Sequence, residues 1–151
     1  MDNTFTVIQR NIRLDFPHRT YFTHGAFEEA NPVLGDILKP TMEGRRTKTL
    51  VYVDEGLVNR GKGLIFEIEN YFQLHAKTLD LVAAPIPIPG GEEVKNEWNT
   101  VERIWATINR HALCRHSFIV AVGGGAMLDA VGFAAATAHR GVRFVRLPST
   151  T

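Results

Sequence analysis

An apolar run, Val120-Ala121-Val122, stops at three consecutive glycines, Gly123-Gly124-Gly125, and resumes as Ala126-Met127-Leu128-Asp129-Ala130-Val131-Gly132-Phe133 with helical spacing. Such a stretch predicts a buried strand that turns sharply into a helix. Glycines without Cβ atoms let the backbone approach a ligand closely. The first N–H groups of the helix lack intrahelical acceptors and the positive end of its dipole points the same way, so the turn suits an anion such as a phosphate. The glycines are contiguous, unlike the spaced G-x-G-x-x-G of a dinucleotide fingerprint. Taken alone, the turn serves equally well to pack a helix tightly on a strand.

The rest of the chain repeats the strand-then-helix pattern. Alternation through Phe5 and Val7, then Ile12, Leu14 and Phe16, predicts one or two extended segments, and Tyr21-Phe22-Thr23 another short strand. Asn31-Pro32 opens a short helix reaching Leu38. Thr49–Val53 is β-branched and almost wholly apolar, as a buried parallel strand should be. Leu64, Ile65, Ile68 and Phe72 follow at helical spacing, and Leu79–Val82 is a second strand. Alternating prolines from Pro85 to Pro89 exclude a central strand and predict an extended loop. Trp98, Val101, Trp105 and Ile108 predict an amphipathic helix over 94–110 whose tryptophans cover the sheet. After the strand at 117–122, an Ala-rich helix should run to about His139, with Gly141 ending it and a last strand over 142–147. This order predicts an α/β fold: a Rossmann-like, mostly parallel sheet flanked by helices, with ligands beyond the carboxyl ends of the strands. Asp54, Gly123–Gly125 and Ser149-Thr150 all fall at that edge.

The chain has 151 residues and a formal net charge of +1, so one domain is expected and neither nucleic acid nor an anionic membrane is an expected partner. A single cysteine, Cys114, cannot form an internal disulfide, which fits a reducing, cytoplasmic setting. It has no base partner in sequence that would mark a nucleophile. The six histidines offer no i,i+4 pair, so no metal site is expected within this chain. Ending on Thr151 directly after a strand, the sequence is expected to be the first part of a longer protein.

Taken in order, Gly91-Glu92-Glu93-Val94-Lys95, Gly123-Gly124-Gly125 with Asp129, Gly132-Phe133, Arg140-Gly141 and Pro148-Ser149-Thr150 resemble the 3-dehydroquinate synthase family of sugar-phosphate cyclases. The resemblance covers about Thr49 to Thr151. It implies that residues 1–151 are an NAD-binding N-terminal domain, with a helical domain carrying the ligands of a zinc or cobalt ion absent from this chain. It also implies an NAD-dependent, metal-assisted lyase of the shikimate pathway, which eliminates phosphate from a seven-carbon sugar phosphate, closes a carbocycle and works as a homodimer. By the same resemblance Asp54 meets the adenosine ribose, Glu92 and Lys95 form a second cofactor-contacting pair, and Gly124, Gly125 and Ala126 lie along the pyrophosphate. Asp129 then points toward the nicotinamide side, Ser149 and Thr150 touch the cofactor, and Arg140 binds substrate phosphate, commonly across a dimer interface. No catalytic residue or metal ligand falls in this chain.

Gly56 stands where the family usually has Asn, which removes one ribose or adenine contact; Ala126 in place of a usual valine and Pro89-Gly90-Gly91 before Glu92 suggest a divergent subgroup. Sedoheptulose 7-phosphate is therefore an alternative substrate to the heptulosonate phosphate. A glycerol dehydrogenase-type oxidoreductase is the enzyme rival, disfavoured by Gly132 where those enzymes commonly carry Lys. A non-catalytic nucleotide-binding module is the third reading. Simpler roles exist for single residues: Asp54 as a turn former, Glu92 and Lys95 as an exposed i,i+3 pair, Asp129 as a first-turn carboxylate, and Arg140 as a cation at a helix C-terminus. The fragment alone is expected to bind NAD weakly, to catalyse nothing and to expose an apolar patch.

Overall fold

Between Lys48 and Asp54 the chain has no charged side chain, and these residues form the middle of β1 (Thr47–Asp54), the strand on which the fold is built. A computed structural model describes residues 6–149 except 14, 16, 42, 43 and 62. α1 (Pro32–Ile37) precedes β1, and α2 (Glu55–Arg60) and α3 (Gly63–Leu74) cross from β1 to β2 (Leu79–Leu81). β3 (Ile86–Ile88), a 3-10 turn over Glu92–Asn96 and α4 (Trp98–Arg110) lead to β4 (Phe118–Gly123), and α5 (Gly125–Thr137) leads to β5 (Arg143–Pro148). The strands lie in the order β2-β1-β4-β5, with β3 continuing beside β1 beyond β2, and every pairing is parallel. Helical crossovers between parallel strands cover both faces of the sheet.

Alternation along the strands divides the core in two. Leu50, Tyr52, Ile119 and Ala121 face α4 and α5, packing on Ile104, Ile108, Met127 and Val131. Val51, Val53, Phe118 and Val120 face the other way, onto Leu34 of α1 and Ile68, Tyr71 and Phe72 of α3. Gly132 lets α5 settle on β5: a Cβ there would lie 2.8 Å from the Phe144 ring. Asn31 caps α1 as its sequence predicts, its Oδ1 accepting from the Val33 N–H at 3.0 Å.

Several expectations need correction. Residues 86–88 are a strand, paired with Tyr52–Asp54, although Pro87 has no N–H to offer. The proline is exposed at an edge position, where that donor is not needed. The 94–110 helix begins later, at Trp98, because the segment before it winds as a 3-10 turn. Trp105 packs on the core and donates from Nε1 to the Ala134 carbonyl at 3.1 Å, but Trp98 is 54 % exposed and does not cover the sheet. α5 stops at Thr137, before a turn that ends in Gly141 at φ +90°. Val7 and Ile12 are exposed and lie in no strand, and neither do Tyr21-Phe22-Thr23. Alternation makes a strand only where a neighbouring strand takes its backbone hydrogen bonds, and among the described residues these segments have none. Phe5, Leu14 and Phe16 lie outside the described residues.

Candidate functional site at the carboxyl edge of the sheet

The parallel register brings Asp54, Ile88, Gly123 and Pro148 to one edge, each the last residue of its strand. Asp54 is half-buried there and starts α2: its Oδ1 accepts from the Gly56 N–H at 2.8 Å. No periodicity in the sequence predicts α2, although Asp54, Glu55 in the first turn and Arg60 in the last are its signals.

Two glycines make room for this carboxylate. A Cβ on Gly90 would lie 2.6 Å from Asp54 Oδ2, and one on Gly123 2.8 Å from Asp54 Cβ. Any larger residue at either position displaces the acid. Gly124 caps α5 without a side-chain contribution, at φ −76° and ψ 162°, and its carbonyl accepts from the Leu128 N–H at 3.0 Å. The N–H groups of Gly125, Ala126 and Met127, in the first turn, have no intrahelical acceptor. A Cβ on Gly125 would meet nothing within 4 Å, so this residue borders open space. Ser149 is tied to the same turn, its N–H donating to the Gly123 carbonyl at 3.0 Å. Thr150 lies outside the described residues.

One turn further along α5, Asp129 joins Glu92 and Lys95 in a chain of charges. Arg146 Nη2 lies 2.8 Å from Asp129 Oδ1, Lys95 Nζ 3.4 Å from Oδ2, and Lys95 Nζ 3.2 Å from Glu92 Oε2. The hydrogen bond from Arg146, and then that from Lys95, hold the Asp129 carboxyl below its usual range despite some desolvation. Glu92 and then Asp129 raise Lys95. Lys95 thus bridges two elements, where an exposed i,i+3 pair alone would have tied only its own turn. Arg146 was not foreseen. Its signal is the alternation of 143–148, which places Phe144 and Arg146 on the same side of β5, Phe144 against Gly132 and Arg146 against Asp129.

Arg140 is not brought to this site. It is exposed in the turn between α5 and β5, at the amino edge, and the 13 residues of α5 put about 20 Å between it and the glycine turn. Among the described residues no three His, Cys, Asp or Glu side chains gather as metal ligands, and no helix is long and apolar enough to cross a membrane.

Residues 85–151 match the family model described as 3-dehydroquinate synthase N-terminal. A 3-dehydroquinate synthase of Nitrosospira multiformis is 44 % identical over 70 residues, 46 % of this chain and 19 % of that protein. One of Thermobifida fusca is 32 % identical over 120 residues, 80 % of this chain and 30 % of that protein. The chain thus spans less than a third of the length of these two relatives. Among solved structures, a 2-epi-5-epi-valiolone synthase from Streptomyces hygroscopicus subsp. jinggangensis 5008, with NAD+ and Zn2+ bound, aligns over 91 % of this chain and 35 % of its own with a TM-score of 0.65. At 22 % identity that likeness speaks for the fold alone. A 2-deoxy-scyllo-inosose synthase aligns over 70 % of this chain and 27 % of its own, with a TM-score of 0.55 and 25 % identity.

Proposed function

We infer that the chain belongs, through the N-terminal domain matched over residues 85–151, to the 3-dehydroquinate synthase family of sugar-phosphate cyclases, and that its carboxyl edge holds NAD. The carrying observation is the set of unused N–H groups at Gly125–Met127 beside a half-buried carboxylate that glycines leave uncrowded. On this reading the diphosphate lies along Gly124, Gly125 and Ala126, where backbone donors and the dipole of α5 favour negative charge. Asp54 keeps its cap with Oδ1 and offers Oδ2 to the adenosine ribose. Asp129 points toward the nicotinamide side, Glu92 and Lys95 form a second cofactor-contacting pair, and Ser149 and Thr150 touch the coenzyme. Bound there, the coenzyme supplies reversible hydride acceptance from a substrate hydroxyl.

The remaining assignments concern the whole protein. A second domain carries the ligands of a divalent metal such as zinc or cobalt, and the reaction is phosphate elimination and ring closure on a seven-carbon sugar phosphate. The distance between Arg140 and the glycine turn favours its use by a second copy of the chain. Such a protein works among soluble metabolites, without nucleic acid or membrane as partner.

Gly125→Val tests the coenzyme assignment, because its side chain projects into open space and not into the core. Calorimetry should show NAD+ binding to the wild-type chain and none to the variant, with unfolding free energies in urea within about 0.5 kcal/mol of each other, as for substitutions away from the core. Equal NAD+ affinity in both proteins would remove the glycine turn from the assignment.

A further inference from the structure

The amino edge of the sheet has its own hollow. A cavity of about 430 Å³ opens where β1, β2 and β4 begin, with Arg45, Arg46, Lys48, Asp80, Cys114 and His116 among its walls. Three cations there face one carboxylate. Arg46 is already engaged, by Asp80 at 3.0 Å and by the Ala76 carbonyl at 3.4 Å. Lys48 Nζ donates to the His111 carbonyl at 2.9 Å, at the C-terminal end of α4, which among the described residues leaves two of its three N–H bonds unused. Arg45 has no acidic partner among the described residues.

Helix C-termini collect at this edge, and their partial negative charge accounts for Lys48 at α4 and Arg46 after α3. It does not account for Arg45, nor for the wall opposite. There the Ser117 N–H donates to the Cys114 carbonyl at 2.8 Å, the Cys114 N–H donates to the Ser117 hydroxyl oxygen at 3.0 Å, and that hydroxyl lies 3.9 Å from the Cys114 sulfur. The His116 backbone first, then Ser117 and Lys48, hold the thiol below its ordinary value despite some burial. The cationic wall of Arg45 and Lys48 therefore faces the Cys114–Ser117 turn across open space, and its charge favours an anion there.

We propose that this cavity is a second anion site, taking inorganic phosphate or a small phosphate monoester between Arg45 and Lys48, against the Cys114–Ser117 turn. It is independent of the coenzyme reading, since its residues lie at the opposite edge of the sheet.

Cys114 is the sole cysteine and is exposed, so alkylation of the chain reports this cavity alone. The rate with iodoacetamide is compared in inorganic phosphate and in chloride at constant ionic strength. Mass action predicts about threefold slowing at phosphate twice its Kd. The ratio of the two rates, taken within each protein, should return to one in Arg45→Gln/Lys48→Gln; in Arg45→Gln alone, at an exposed position, it should be reduced. Far-UV circular dichroism checks that each variant is folded. Equal rates in phosphate and chloride, or slowing unchanged in Arg45→Gln, would overturn the site. NAD+ is the third arm: no slowing is expected, and protection by NAD+ would overturn an oxyanion-selective cavity while leaving the Gly125→Val test to judge the glycine turn separately.

Discussion

The two edges of one parallel sheet attract negative charge by different means. At the carboxyl edge the donors are backbone N–H groups at the start of α5, and side chains are kept away by Gly90, Gly123 and Gly125. At the amino edge helix ends point the wrong way for anions, and arginine and lysine side chains override them. The first arrangement is preorganised and depends on the absence of atoms. The second depends on long, flexible cations and is weakened by salt.

That difference predicts unequal responses to substitution. Gly123→Val forces a side chain into a space of 2.8 Å beside Asp54 and should cost ~1–3 kcal/mol in urea unfolding, as overpacking does; a midpoint like that of the wild type would show that β1 and β4 can part freely. Asp54→Ala removes the cap of α2 at about 1 kcal/mol, whereas Asp54→Asn retains the acceptor and should match the wild-type midpoint while still lowering NAD+ affinity. If Asn binds NAD+ as well as Asp does, the carboxylate charge has no part in coenzyme binding.

The Asp129 network gives the smallest effect, because its members are about half exposed. The folded-state pKa of Asp129 is depressed, so its contribution to stability is present above the unfolded carboxyl value and disappears as pH falls through the folded one. Lys95 is raised, so its contribution is present below the unfolded amine value and disappears as pH rises through the folded one. Arg146→Gln should move the Asp129 carboxyl back toward its ordinary value in an NMR titration. An unchanged titration would leave Lys95 as the sole partner that matters.

What could be read from the sequence follows from how local each cause is. β1, β4 and the glycine turn are legible because burial on both faces leaves a continuous apolar run, and because only glycine tolerates the approach of Asp54. α2 is not, since six residues with Gly56 inside carry too little periodicity to stand out from a turn. β3 is hidden by Pro87, whose tolerance depends on an edge position that no local signal reveals. At the site, Asp54, Gly124 and Ser149 gather because strand ends do so in any such sheet. The partnership of Arg146 with Asp129 depends on register between β5 and α5, which the residues between them do not state. Arg140 shows the converse: a resemblance can assign it a ligand, but only the length of α5 reveals how far it sits from the cradle.

The sheet also works as a wall between two separately packed compartments. Ile104→Ala on one side and Tyr71→Ala on the other share no partner, so their penalties should add within about 0.5 kcal/mol. Met127, which follows the glycine turn, packs in the compartment under α4 and α5, so that compartment carries the start of α5, while Asp54, as the cap of α2, ties the other compartment to the same edge.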